Sequence, residues 1–166
     1  MHRALPMAWI AVALALVAAC SALPFNAANQ LLSTLPTAAG GVDFDDVRVI
    51  DDSFLSGHVV DDVLTALGKR RSDGAAVFRF SSAGGVSIGA VAVRGIDGDE
   101  LLAACVENWQ APAVIRRSQR AVNGTDGWQV EMRGGGLTVF YARGSVVYVA
   151  WSEQRQVLEA VLGDMP

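Results

Sequence analysis

The sequence predicts an α+β domain: an antiparallel sheet of about six strands with helices packed on one face, in the order α-β-β-α-β-β-β-β-α behind an N-terminal signal helix. Two patterns predict it. Apolar residues recur at helical spacing in three well-separated stretches. Between the second and third of these, four strand-like runs are joined by Gly-containing connections too short for a crossover. Each such helix and strand has one face to bury, and layering helices on a sheet buries both.

The chain opens on Ala4 to Cys20, ALPMAWIAVALALVAAC, an uncharged 17-residue run behind a single basic residue, Arg3. It ends in small residues before a cysteine, which is how an export signal is built. The order Val17-Ala18-Ala19-Cys20 resembles the lipobox of bacterial lipoproteins, although Val17 stands where Leu is usual. That resemblance implies removal of a signal peptide over 1–19 and attachment of diacylglycerol to the Cys20 thiol. Two other outcomes stay open. Ala4 to Phe25 is 22 uncharged residues, and about 20 apolar residues span a bilayer, so the leader also suits an uncleaved transmembrane anchor; cleavage after Ala19 or Ala22 would instead give a secreted product. All three place the rest of the chain outside the cytoplasm.

Residues 20–41 read as the lipid-attachment site and a flexible tether, being small, uncharged and interrupted by Pro24 and Pro36, with one helical turn around Asn29 to Leu32. A single domain then covers 42–166. Val42 to Asp52 sets five aspartates around Val47, Val49 and Ile50, as expected of an edge strand whose charges discourage pairing with other chains. A calcium loop would need alternating ligands closed by a Gly and a distal Glu, and neither is in register.

Val60, Val63, Leu64 and Leu67 follow helical spacing up to Gly68, where Lys69, Arg70 and Arg71 complement the negative end of the helix. Ala75 to Phe80 and Val86 to Arg94 read as two strands joined through Ser81 to Gly85. The second mixes Val, Ile, Ala and Gly, the composition of a strand covered on both sides. Asp97 with Glu100 three residues on, and Ile96 facing Leu101, predict a capping box and staple at the head of a helix that runs to about Glu107. Cys105 falls on its apolar side and reads as a buried free thiol.

Val114 to Val122, Trp128 to Arg133, Leu137 to Ala142 and Ser145 to Trp151 form the four-strand meander, turning at Asn123-Gly124, Gly134 to Gly136 and Arg143-Gly144. Asn123-Gly124-Thr125 fits a glycosylation sequon, but Asn-Gly is also a preferred tight turn, and the turn reading is favoured. Ser152 is expected to cap a last helix whose stripe is Val157, Leu158, Val161 and Leu162, ending at Gly163.

The formal net charge is −4 over 166 residues, which argues against nucleic acid as a partner because phosphate binding needs a clustered positive field. With two cysteines, Cys20 and Cys105, the fold is no disulfide framework. No zinc spacing, dinucleotide fingerprint or nucleotide loop occurs, so no cofactor, metal ligand or catalytic residue is assigned. Arg116 and Arg120 share one strand face and Arg117 the other; their expected role is pairing with Glu131 and other acids, with ligand contact as the alternative. His58 is the only histidine outside the leader and has Asp61 and Asp62 within a turn. A base with an orienting carboxylate would look like this, but no nucleophile goes with it.

The words Leu64-Thr65-Ala66-Leu67-Gly68-Lys69, Val93-Arg94-Gly95-Ile96-Asp97-Gly98-Asp99-Glu100-Leu101-Leu102 and Val157-Leu158-Glu159-Ala160-Val161-Leu162 resemble a bacterial group of small exported or membrane-tethered domains without an established activity. The resemblance covers roughly Val47 to Pro166, rests on caps and turns, and implies no catalytic residue. The expected function is a membrane-tethered extracytoplasmic binding or interaction module. It would meet membrane lipid through Cys20 and a protein partner in the cell envelope, with Arg116, Arg120 and His58 as candidate ligand contacts. A hydrolase-type enzyme using His58 and a structural accessory domain of an envelope assembly are the alternatives. A small-ligand binder should show a sizeable apolar cavity.

Overall fold

The computed structural model describes residues 27–50 and 58–166. The leader, Cys20 and the first half of the expected tether lie outside the described residues. From Ala27 onward the tether reading is corrected. Ala27–Thr34 is a helix, α1, followed by a two-stranded hairpin of β1 (Ala38–Ala39) and β2 (Val42–Asp43). Ala27, Leu31, Leu35, Ala39 and Phe44 are all buried in the core. The hairpin turns at Gly40, whose φ is +59° and where a Cβ would sit 2.6 Å from the Val161 backbone nitrogen. Its N–H donates to the Asp164 carboxylate at 2.7 Å. Small uncharged residues here serve close packing rather than freedom.

The main sheet has seven antiparallel strands: β3 (Asp46–Ile50), β4 (Gly74–Ser81), β5 (Val86–Val93), β6 (Val114–Val122), β7 (Thr125–Met132), β8 (Leu137–Arg143) and β9 (Val146–Ser152). Their spatial order is β3-β4-β5-β9-β8-β7-β6. The α+β class, the antiparallel sheet and the four-strand meander are as expected. The seventh strand is β3, the acidic run, which is indeed an edge strand. After β5 the chain crosses the sheet through α3 (Gly98–Asn108) to the far edge, and the meander returns it to the centre, so that β9 lies beside β5.

Helices cover both faces, which corrects the one-sided packing expected from the sequence. On one face α1 and α4 (Arg155–Asp164) pack against Val77, Ile88, Ala90, Val139 and Tyr141. On the other, α2 (His58–Ala66) and α3 pack against Ala76, Val91, Phe140, Val147 and Val149. Alternate residues point to opposite sides of a strand, and in β8 and β9 the residues of both sets are buried. Strands without a wet face need two apolar layers.

Local signals place the turns and caps. Asp97 accepts the Glu100 N–H at 2.9 Å, as its capping role requires. Asn123 (φ 50°) and Gly124 (φ 77°) form the tight turn between β6 and β7. The Asn123 amide donates to the carbonyls of Leu162 (2.8 Å) and Met165 (3.1 Å), closing the end of α4. Ser152 is not the helix cap. It lies fully buried at the end of β9, donates to the Gly85 carbonyl and accepts the Gln154 N–H, and Gln154 heads the helix.

Candidate ligand-binding groove

On the α2/α3 face the helices stop short of one end of the sheet, leaving a groove of about 410 Å³, within the size range of small-molecule sites. Its floor is two rows of cross-strand neighbours. One row runs Phe80, Ser87, Trp151, Thr138 across β4, β5, β9 and β8. From the next row Phe78 and Val149 also line it, with Gly89 between them in register. Gly89 is required there: a Cβ would lie 2.5 Å from the Phe78 ring and 2.9 Å from Val149.

The walls come from two connections. At the exit of α3, Trp109 packs on Phe78 (5.9 Å between ring centroids) and edge-on to Phe140 (5.5 Å). Gln110 then takes a left-handed conformation, φ 46°, that swings the chain into the 3-10 turn Ala111–Ala113. Opposite, the Met132 to Gly136 turn is pinned by Met132 N–H to the Gly136 carbonyl (2.8 Å) and Arg133 N–H to the Ala113 carbonyl (2.7 Å). Gly136 admits the Trp151 indole, whose Nε1 would be 2.6 Å from a Cβ at that position. At the β3 end, the Arg48 guanidinium stands 4.7 Å over the Phe80 ring and pairs with Asp46 at 3.1 Å. Glu153 lines the groove as well.

A shallower depression of about 340 Å³ shares Arg48, Phe80, Ser87 and Trp151 and continues toward Asp45 and Ser82. The Asp45 carboxylate accepts from the Ser82 hydroxyl (2.6 Å) and N–H (3.2 Å), and these bonds hold it below the usual carboxylate range.

Within the groove the polar groups are under-used. The hydroxyls of Thr138 and Ser87, the Trp151 indole N–H and the side chains of Arg133, Gln110 and Glu153 line it without a side-chain hydrogen bond among the described residues, and none of these atoms is sealed from solvent, since the buried unpartnered side-chain atom among the described residues is Arg79 Nε. Buried polar groups are normally bonded, so an unpartnered hydroxyl facing a concavity marks a place where a ligand or water completes the set.

Arg116 and Arg120, proposed from sequence, do not line the groove. Arg120 grips Glu159 of α4 through two bonds, 2.9 and 2.8 Å, and reaches Gln129 at 3.3 Å. That is an ion pair locking α4 to the sheet, and its acid is Glu159 rather than Glu131. Arg116 sits opposite Glu131 in the register of β6 and β7, beside a bulge that leaves Ile115 67% exposed. Arg117 donates to the Val106 and Glu107 carbonyls at the end of α3 (2.7 and 3.0 Å). His58 is the first residue of α2, and its side chain is outside what the structure describes. Of the two carboxylates near it in sequence, Asp61 and Asp62, Asp61 is held by Arg71, whose Nε donates at 2.6 Å and whose Nη2 donates to the second oxygen.

Cys105 is a fully buried free thiol whose pKa burial pushes up to about 12, so it is no nucleophile at neutral pH. Arg48, Trp109, Arg133 and Trp151 were not singled out from sequence. The available signal was polar Ser87 and Thr138 interrupting largely apolar strands.

Among the described residues, no group of three or more metal-ligating side chains comes together, and no helix is long and apolar enough to cross a membrane. Comparison with protein-family models, curated proteins and solved structures yields no match.

Proposed function

We propose that the protein is an extracytoplasmic binding module, tethered through Cys20, whose ligand seats in the groove between the sheet and the Trp109 and Arg133 connections. The observation that carries the reading is the groove itself: a concavity of about 410 Å³ with an aromatic floor and unpartnered polar groups. Binding sites combine an apolar surface with a few polar groups that fix orientation. The tether reading is supported by the leader's sequence and its lipobox-like end.

The binding half is tested by a fragment screen read in nitrogen-15 correlation spectra of the labelled protein. Hits should shift Ser87, Trp109, Thr138 and Trp151 together; hits confined to other surfaces would refute the groove as the ligand site. The tether half is tested by intact mass and fractionation of the full-length chain beside Cys20→Ser. Lipidation predicts added mass and membrane retention that the substitution abolishes, whereas a soluble chain still carrying residues 1–19 would remove the export reading.

A further inference from the structure

We infer that the groove recognises a saccharide, an inference that rests on the groove being the ligand site. The chemistry of its polar groups carries the assignment. Arg133 and the Trp151 indole are donors only, Glu153 is an acceptor only, and Ser87, Thr138 and Gln110 both donate and accept. All line the same groove. An anion would be opposed by Glu153, and of the two arginines that line the groove Arg48 is already paired with Asp46. An alkyl chain would cover the Ser87 and Thr138 hydroxyls, which line the groove, and leave both without water or a partner, at a cost in desolvation. A sugar hydroxyl donates and accepts at once, and so answers a set of mixed sign.

The apolar part of the groove fits the same ligand. A pyranose ring has an apolar C–H face, and Trp151 and Phe80 stand two strands apart in one row with Ser87 between them and Thr138 on the far side of Trp151. Stacking surface and hydroxyls therefore alternate along the row. From β4 to β8 the floor crosses three interstrand spacings, roughly 14 Å, longer than one sugar ring. The shallower continuation past Arg48 toward Ser82 lengthens it further, so a short oligosaccharide fits better than a monosaccharide.

The test is calorimetric titration of the purified full-length chain with chitotetraose, maltotetraose and mannotetraose, beside phenylpropionate as a sugar-free aromatic anion. At least one tetrasaccharide should bind and shift the tryptophan emission. Thr138→Val and Arg133→Ala should each weaken it by roughly tenfold; Arg116→Ala, on the far edge strand, should not. Because Arg133 is exposed and Thr138→Val keeps the side-chain shape, loss of binding by these variants would not reflect loss of the fold. Binding of none of the three sugars refutes the saccharide assignment. If phenylpropionate then binds and Arg133→Ala abolishes it, the groove survives as a ligand site of another class; if fragments also leave the groove untouched, the underlying reading falls with it.

Discussion

Thr138→Val should stabilise the protein while weakening the proposed ligand site. Thr138 is the second residue of β8, flanked in register by Val130 and Trp151; the residue is 2% exposed, and its hydroxyl borders the groove without a side-chain hydrogen bond among the described residues. Valine replaces that hydroxyl by a methyl group at nearly constant volume, so no cavity forms. Mutational data put an unbonded buried hydroxyl at about 1–3 kcal/mol. The oxygen borders the groove and keeps partial contact with water, so the lower end applies, about 1 kcal/mol of stabilisation. In a domain of this size that raises Tm by roughly 2–4 °C. Equilibrium urea unfolding should show a higher midpoint at an unchanged slope. A loss of about 1 kcal/mol or more would refute the reasoning, because it would mean that the hydroxyl makes a bond in the folded protein and is not held in reserve for a ligand. A stabilised variant that binds less well is the signature of a site kept at the expense of stability.

Three further substitutions test the framework. Gly98→Ala adds a helix-favouring residue, yet a Cβ there would lie 2.1 Å from the Gly144 carbonyl oxygen; the expected result is destabilisation by about 2 kcal/mol or more in urea, and a neutral result would contradict the close α3 contact. Asn123→Gly keeps the left-handed turn and loses the two bonds to the end of α4, for a cost of about 1–2 kcal/mol. Asn123→Ala adds strain at positive φ and should be worse by roughly a further 1 kcal/mol, an order that unfolding midpoints read directly. For Glu159→Gln, the effect depends on pH. Arg120's hydrogen bonds lower the Glu159 pKa, and a carboxylate depressed in the folded state contributes stability that is complete above its unfolded pKa and lost as pH falls through the folded one. The pair is partly exposed, with side chains 23% and 43% accessible, so the wild-type advantage should be about 0.5–1 kcal/mol at pH 7. It should close below about pH 4.3, and a gap that persisted in acid would show that the contribution is not ionic.

How far the sequence speaks for itself depends on whether a feature is local. Asp97 caps α3 through a residue three positions away, and Asn123-Gly124 turns the chain within two residues, so short-range sterics and hydrogen bonding suffice to read both. Leu31 shows the opposite case. Its surroundings look like linker, and nothing within its own segment shows that Ile88 and Leu158 share a cluster with it. The two-sided covering of the sheet lay between these: β5 carried the composition of a doubly buried strand, but assigning which helix covers which face needs the crossover through α3 and the central place of β9.

The groove was the least legible part. Arg48, Ser87, Trp109, Arg133, Thr138 and Trp151 come from six separate stretches, and each alone reads as an ordinary strand or turn residue. What the amino-acid order determined by itself was the antiparallel α+β class, the meander, the Asp97 cap and the tight turns, because these depend on periodicity and on neighbours a few residues apart. Tertiary structure alone decided that α1 belongs to the core, that Arg120 ties α4 to the sheet through Glu159, and that aromatic rings and hydroxyls converge in one place. Convergence is set by strand order and register, which link residues up to a hundred positions apart through hydrogen bonds that carry no local mark in the sequence.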